Sequence, residues 1–436
     1  MRHLLPLLAL SLLLAGCTSL APSAGDATSA AKAVDGHQPL VWAGLPARAD
    51  SPLILVSIDG MRNDYTERGL TPTLTALTDT GTRAQFLRPS YPSITFPNHY
   101  TLVTGLRPDH HGVVANFMRD PAIDGVLFSM FDPATTTDAR WWNDGKPIWN
   151  SVTQAGGRSA VMFWVASEAP VHGHYPEYWH PFDIRVSPDQ RVDTVLGWLD
   201  LPAEKRPHFI ALYFDTVDTA GHRFGPDSAE LDAALVQVDA ALARLVDGLR
   251  SRNLDGHTNL VIAADHGMMA TSDAQVVYLD DYLDAALIQP IWTGAYAAFN
   301  ALPAGKSQAD ALLGEHEHFS CMVREDIPAR FAYGKHRRVP QYHCMAQPGW
   351  QLTTRAIATL KNHPLRGEHG YDNQLEQMHS PLILNGPAFK RGHTIAGIDN
   401  VDVYPLLAHL LGIAPAAHDG DLQHTADALV QAKETH

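Results

Sequence analysis

Leu53-Ile54-Leu55-Val56-Ser57-Ile58 is a continuous apolar run closed by Asp59-Gly60. A run this short, without polar alternation, marks a central parallel strand covered on both faces. Ser159 to Val165, His208 to Phe214, Asn259 to Ala264 and Pro381 to Leu384 read as further strands of this kind. Between two of them, Asp227 to Arg250 places Leu231, Ala234, Leu235, Val238, Ala241, Leu242 and Leu245 on the i, i+3, i+4 stripe of an amphipathic helix. Thr71 to Thr80, opening on Thr71-Pro72, and Val403 to Leu411 also read as helices. Strands alternating with helices give the α/β class: a doubly wound, mixed but mostly parallel sheet flanked by helices. Such sheets collect ligands at the carboxyl ends of their strands. Ala270 to about Gly367 breaks the alternation, with a strand candidate at Gly294 to Leu302 and a basic run Lys335-His336-Arg337-Arg338. It is read as a smaller inserted subdomain.

The chain of 436 residues is long for one domain, yet α/β enzymes of this size commonly carry one sheet with large insertions. Its 47 acidic and 32 basic residues give a net charge of −15, which offers no basic surface for a nucleic-acid duplex. Residues 1–17 have a short basic start and an apolar run too short to span a membrane comfortably, and read as an export signal. Leu14-Ala15-Gly16-Cys17 resembles the bacterial lipoprotein box. That reading makes Cys17 a lipid anchor and, with Thr18 following, places a periplasmic protein on the outer membrane; a plain secretory signal with a chance Cys is the other reading. Residues 18–51 are rich in Ala, Ser, Gly and Pro, as suits a tether. The domain is expected over 52–415, with 416–436 as a tail and a monomer as the functional unit. Cys321 and Cys344, in an oxidising compartment, are read as a disulfide, the alternative being two buried thiols.

In Thr95-Phe96-Pro97-Asn98-His99-Tyr100, a Thr two residues before a Pro reads as an N-cap with Pro in the first turn. The Thr95 hydroxyl then lies over unpaired N–H groups at the positive end of a helix, where an anion such as phosphate is favoured. A capping Thr is commonplace; the acids and imidazoles elsewhere single this one out. Asp59 ends the first strand, Asp218-Thr219-Ala220-Gly221-His222 follows a third, Asp265-His266-Gly267 ends another, and Gly367-Glu368-His369-Gly370 lies late in the chain. Singly, each serves equally as a cap or turn residue. Together they offer three carboxylates and three imidazoles, a donor set that suits zinc. Shared three apiece, they hold two zinc ions and leave positions open for substrate and nucleophile.

Ser57-Ile58-Asp59-Gly60-Met61-Arg62, Thr95 to Tyr100, Asp218 to His222, Ala264-Asp265-His266-Gly267-Met268 and His369-Gly370-Tyr371-Asp372-Asn373 resemble, in order and rough spacing, the motifs of the nucleotide pyrophosphatase/phosphodiesterase family of the alkaline phosphatase superfamily, here in a bacterial member. The resemblance implies an alkaline phosphatase-like fold and two zinc ions per subunit, one on Asp218, His222 and His369, the other on Asp59, Asp265, His266 and the Thr95 oxygen. It implies Thr95 as nucleophile, a phospho-threonine intermediate, and release of nucleoside 5′-monophosphates from nucleotide or other small phosphodiester substrates. Asn116 takes the place of a donor to the phosphoryl oxygen, where a monoesterase of the superfamily sets Arg. Phe96 and Tyr213 occupy positions similar to the family's nucleobase clamp, with Phe182 as a third wall; they serve equally as core. Open alternatives are a phospholipid or choline-ester diesterase, a phosphomonoesterase or sulfatase-like relative and, outside enzymes, a surface lipoprotein that only binds zinc.

Overall fold

All six residues of β1, Leu53–Ile58, are buried, as their unbroken apolar run requires. In the computed structural model, which describes residues 52–430 apart from 124 and 361–364, this strand lies inside an eight-stranded sheet. The other strands are β2 (Thr82–Ala84), β3 (Ser159–Met162), β4 (Tyr178–Trp179), β5 (Phe209–Phe214), β6 (Asn259–Ala263), β7 (Leu382–Asn385) and β8 (His393–Ile395). Their order is β8-β2-β7-β6-β1-β5-β3-β4. β1 pairs in parallel with β5 and β6, and only β7 runs against its neighbours β6 and β2. The sheet is therefore mixed and mostly parallel.

Alternation along the strands feeds two cores. Leu53 and Leu55, with Phe209, Ala211, Val261 and Ala263, face helices α2 (Thr95–Thr104) and α6 (Val403–Leu410). Ile54, Val56 and Ile58, with Ile210, Leu212, Leu260 and Ile262, face α1 (Pro72–Asp79), α3 (Pro188–Leu199) and α5 (Ala229–Ser251). Between these last helices, the buried Asp239 of α5 accepts the N–H groups of Thr73 and Leu74 at 3.0 and 2.9 Å. It thereby satisfies donors that the first turn of α1 leaves open. Among the described residues no helix is long and apolar enough to cross a membrane.

Two expectations shift. The strand expected to reach Val165 stops at Met162, because Phe163 turns out of the sheet with φ 62°, a costly value for a bulky side chain. Residues 416–430, set apart as a tail, lie against the domain: Ala428 is buried in the first core and Val430 N–H donates to Ala388 at 2.9 Å. Thr425 is buried there as well, so the segment is anchored to the domain. Cys17, the 18–51 tether and 431–436 lie outside the described residues.

Residues 288–346 form a second, five-stranded antiparallel sheet in which Phe319–Val323 pairs with Tyr342–Ala346. Cys321 and Cys344 stand directly opposite each other there, Cα atoms 4.0 Å apart, and are bonded as a disulfide. Closing a loop of 23 residues stabilises by about 3 kcal/mol in the chain-entropy model. Reduction, or Cys321→Ala with Cys344→Ala, is expected to lower unfolding free energy by about that amount in denaturant titration; unchanged stability would show that the cross-link constrains little.

Candidate active site

Three neighbouring strands end at one place. β1 runs into Asp59, β6 into Asp265 and His266, and β5 into helix α4 (Thr216–Phe224), which presents Asp218 and His222 one turn apart on one face. Gly60 lets the chain turn there: its φ is +67°, and a Cβ on it would lie 2.8 Å from the Asp218 Cα. His369 arrives from the far end of the chain, after a short strand, Gly367–Glu368, paired with Met269–Ala270. Ligand atoms of Asp218, His222 and His369 gather within 4.8 Å of one another, and those of Asp59, Asp265 and His266 form a second such group.

The two groups adjoin. The His266 and His369 rings stack with centroids 3.6 Å apart. All three imidazoles are held the same way: His222 Nδ1 lies 2.8 Å from the Gly367 carbonyl, His369 Nδ1 3.0 Å from that of Ser93, and His266 Nδ1 2.9 Å from that of Gly267. A carbonyl can only accept, so each Nδ1 carries a proton, and each ring in its neutral form keeps a lone pair on Nε2. Yet His222 and His369 bring their Nε2 atoms to 3.0 Å, and His266 Nε2 sits 3.0 Å from Asp265 Oδ2 and 3.5 Å from Asp59 Oδ1. Lone pairs and carboxylates facing one another at these distances repel unless a proton or a metal ion lies between them. In addition, Asp59 Oδ1, Asp218 Oδ1 and Asp265 Oδ2 are buried without a hydrogen-bond donor. Carbonyl-anchored imidazoles beside donorless carboxylates fit metal ions.

The electrostatics agree. Burial, then the Asp265 and Asp218 carboxylates, push Asp59 well above the usual carboxylate range, and burial raises Asp218 too. Against its own burial, Asp265 is held well below that range by His266 and His99. Burial and the two neighbouring imidazoles push His369 well below its ordinary value, which keeps it neutral as a ligand must be.

Thr95 opens α2 at this place, but as its first helical residue; the N-cap is Ile94, which has no capping side chain. The difference matters, because a capping hydroxyl would be spent on its own helix. Instead Thr95 Oγ1 lies 3.3 Å from His266 Nε2. Asn116 is buried beside it and accepts the Phe96 N–H through Oδ1 at 2.9 Å, while its Nδ2 makes no hydrogen bond among the described residues. Tyr213 donates its hydroxyl to Asp59 Oδ2 at 2.6 Å, and the Phe182 ring stands 6.2 Å from that of Tyr213. Phe182, about half exposed, is steadied by Glu168, which accepts its N–H at 2.7 Å, and by the Phe163 ring at 5.2 Å. Phe96 packs toward Phe128 and Trp142, with ring centroids 6.0 and 6.1 Å away.

His99 is a residue the sequence reading passed over. Its Nδ1 lies 3.0 Å from the Thr95 carbonyl and 3.2 Å from Asp265 Oδ2, and the Ser57 hydroxyl is 2.9 Å from its Nε2. It ties the first turn of α2 to an acid of the metal cluster and to β1. Its spacing, four residues after Thr95 and so on the same helix face, is the signal that could have found it.

A family model described as type I phosphodiesterase / nucleotide pyrophosphatase matches residues 53–372. An uncharacterized pyrophosphatase/phosphodiesterase of Schizosaccharomyces pombe is 35% identical over 391 residues, covering 85% of this chain and 79% of that protein. A venom phosphodiesterase of Macrovipera lebetinus is also 35% identical, over 382 residues; 85% of this chain aligns with 44% of that protein, so the chain spans under half its length. The solved structure of murine ectonucleotide pyrophosphatase / phosphodiesterase 5 superposes with a TM-score of 0.82 at 32% identity, covering 87% of this chain and all of that one. An inactive variant of the same mouse protein, in complex with AMP, superposes equally well. With family motifs, fold and clustered acids and imidazoles in agreement, the chain belongs to the type I phosphodiesterase / nucleotide pyrophosphatase family of the alkaline phosphatase superfamily, metal-dependent hydrolases of phosphodiester and pyrophosphate bonds.

Proposed function

We propose that this protein is a zinc-dependent hydrolase of nucleotide pyrophosphate and phosphodiester bonds that works through a phospho-threonine and releases nucleoside 5′-monophosphates. The observation that carries the proposal is the Thr95 hydroxyl, uncommitted to its own helix, beside two adjoining clusters whose lone pairs face one another. In this reading Asp218, His222 and His369 hold one zinc, and Asp59, Asp265, His266 and Thr95 Oγ1 the other. Zinc bound there supplies Lewis acidity, stabilising charge on attacking and leaving oxygens and making a hydroxyl or water nucleophilic near neutral pH.

Thr95 Oγ1 attacks phosphorus as the bond to the leaving oxygen breaks, and water then cleaves the phospho-threonine ester and restores the hydroxyl. Asn116, its oxygen fixed on the Phe96 N–H, keeps its two amide hydrogens for an equatorial phosphoryl oxygen; one such donor contributes roughly 3 kcal/mol to barrier lowering. The first turn of α2 adds its positive end. A neutral Asn suits a diester, whose phosphoryl group carries one charge fewer than a monoester. The AMP complex of the mouse relative supports a nucleotide as the bound group.

The deciding comparison is turnover of the nitrophenyl ester of thymidine 5′-monophosphate against nitrophenyl phosphate on the zinc-loaded protein. The nucleotide ester is expected to be faster, and the opposite ranking overturns the diesterase reading. Phe96 and Tyr213, with Phe182 as a third wall, are proposed to hold the base. Phe182→Ala is then expected to raise KM for the thymidine ester about five-fold, the low end of base stacking for a half-exposed ring, while bis-nitrophenyl phosphate is unaffected. Equal effects on both esters would remove Phe182 from base recognition. Export with Cys17 as lipid anchor remains part of the proposal; it rests on residues 14–17 and is supported by the disulfide, a bond typical of oxidising compartments.

A further inference from the structure

The basic run of residues 335–338 plays no part in the site above. Arg337 and Arg338 instead line a cleft of about 740 Å³, within the size range of small-molecule sites, and none of the six clustered acids and imidazoles reaches it. Its walls are residues 119–121, 123, 125 and 126, the loop from Val323 to Gln341 and the strands Ile288–Trp292 and Tyr296–Ala301 of the second sheet. Arg119, Arg324, Arg337 and Arg338 are all among its lining residues in a chain of net charge −15, although the Arg338 side chain itself is fully buried.

Three of the four are matched. Arg338 and Arg337 share Asp120 at 2.6 and 2.8 Å, Arg337 also reaches Asp144 at 3.4 Å, and Arg324 pairs with Glu325 at 2.9 Å. The Arg119 side chain makes no ion pair or hydrogen bond among the described residues, and its Nε is buried without an acceptor. Asp120, next in sequence, cannot serve it. That carboxylate already accepts two bonds from Arg337, one from Arg338 and one from the Ala122 N–H. A guanidinium without an acceptor gains from an oxyanion, and the terminal nitrogens of Arg119, unlike its Nε, are not buried, so a ligand in the cleft can supply one.

The rest of the lining fits an organic body attached to that anion. Gln289 and Gln341 make no side-chain hydrogen bond among the described residues. Asn300 accepts the Gln341 N–H through Oδ1, which leaves its amide hydrogens. Ile123, Ile291 and Val339 add apolar wall. The side chains of Arg337 and Arg324 are about half and one third exposed, but Asp120, Asp144 and Glu325 offset their charge, so Arg119 is the guanidinium left for an anion.

We propose that this cleft is a second ligand site, separate from the metal clusters, that binds a phosphorylated small molecule with its phosphate on Arg119 and its body against the amides and aliphatic wall. The inference does not depend on the catalytic reading. Calorimetric titration of the zinc-loaded protein with AMP is expected to show two sites per chain, with Arg119→Ala removing one, or weakening it at least about ten-fold, while turnover of the thymidine ester stays unchanged. Arg119→Lys, which keeps the charge, should retain part of the affinity. Arg391→Ala, at an exposed arginine away from the cleft, should keep both sites. Inorganic phosphate competing for the Arg119-dependent site identifies free phosphate as sufficient; absence of competition, with AMP still bound, assigns the source to a phosphorylated organic molecule. A single AMP site in the parent, an unchanged second site in Arg119→Ala, or adenosine binding that site as well as AMP does, overturns the proposal.

Discussion

Thr95→Ala is expected to lower hydrolysis of the thymidine ester by at least about a thousand-fold while the metal content stays at its parent value. Thr95 contributes one oxygen to a site that six other side chains already define, so removing it takes away the nucleophile and spares the clusters. The other hydroxyls described near the site are engaged, that of Tyr213 with Asp59 Oδ2. Ser93, two residues earlier, donates to the Tyr371 carbonyl at 3.0 Å, and Ser57 is occupied by His99. Water attacking phosphorus directly would be the only remaining route, without the positioned first step. Thr95→Ser keeps the same oxygen at the same helical position and should retain measurable turnover, which separates loss of the nucleophile from disturbance of α2. Turnover within about ten-fold of the parent in the alanine variant, with metals retained by elemental analysis, would remove Thr95 from the chemistry. It would leave direct attack by water as the mechanism to consider.

The pattern of legibility follows from what each feature depends on. β1 was readable to the residue because a strand buried on both faces must be apolar without interruption, and α5 because its stripe repeats over about four turns. The places where Asp59, Asp265 and His266 stand follow directly, since a parallel sheet delivers its strand ends to one edge. Asp218 and His222 were legible as a pair, although nothing in the sequence reading showed that they sit one turn apart on a helix. Thr95 was placed one position out. A Thr before Pro carries the cap signal, and only the tertiary contact with His266 shows that this hydroxyl is turned away from its own helix. His99 and Arg119 were invisible for the same reason: their meaning lies in partners about 165 residues away for the one, and in the lack of any for the other. The strand that stops at Met162 reads as longer because an apolar residue in a left-handed turn, Phe163, looks in sequence like one more strand residue.

Chelation should have the other large effect, on stability as well as on activity. Stripping the metal is expected to abolish hydrolysis and to lower the midpoint of thermal unfolding by roughly ten degrees, zinc restoring both. The stability argument rests on burial. Asp59 and Asp265 are 2% and 0% exposed, and neither they nor Asp218 can find a donor for one oxygen each. Without a cation the fold must hold three carboxylates together, and burial and mutual repulsion already push Asp59 toward its neutral form. A metal present at about a thousand times its dissociation constant contributes about 4 kcal/mol of linkage at each site, which the unfolded chain cannot match. Asp218→Asn removes one of these charges from the cluster it shares with His222 and His369, so the chelator-sensitive part of the midpoint should shrink in that variant while the metal-free protein gains stability. The two effects have opposite signs in the loaded and stripped states, and a generic loss of packing at Asp218 would lower both. An unchanged midpoint on chelation, with catalysis lost, would mean that the facing lone pairs are relieved by something other than a tightly held ion, and that the fold is set without the metals.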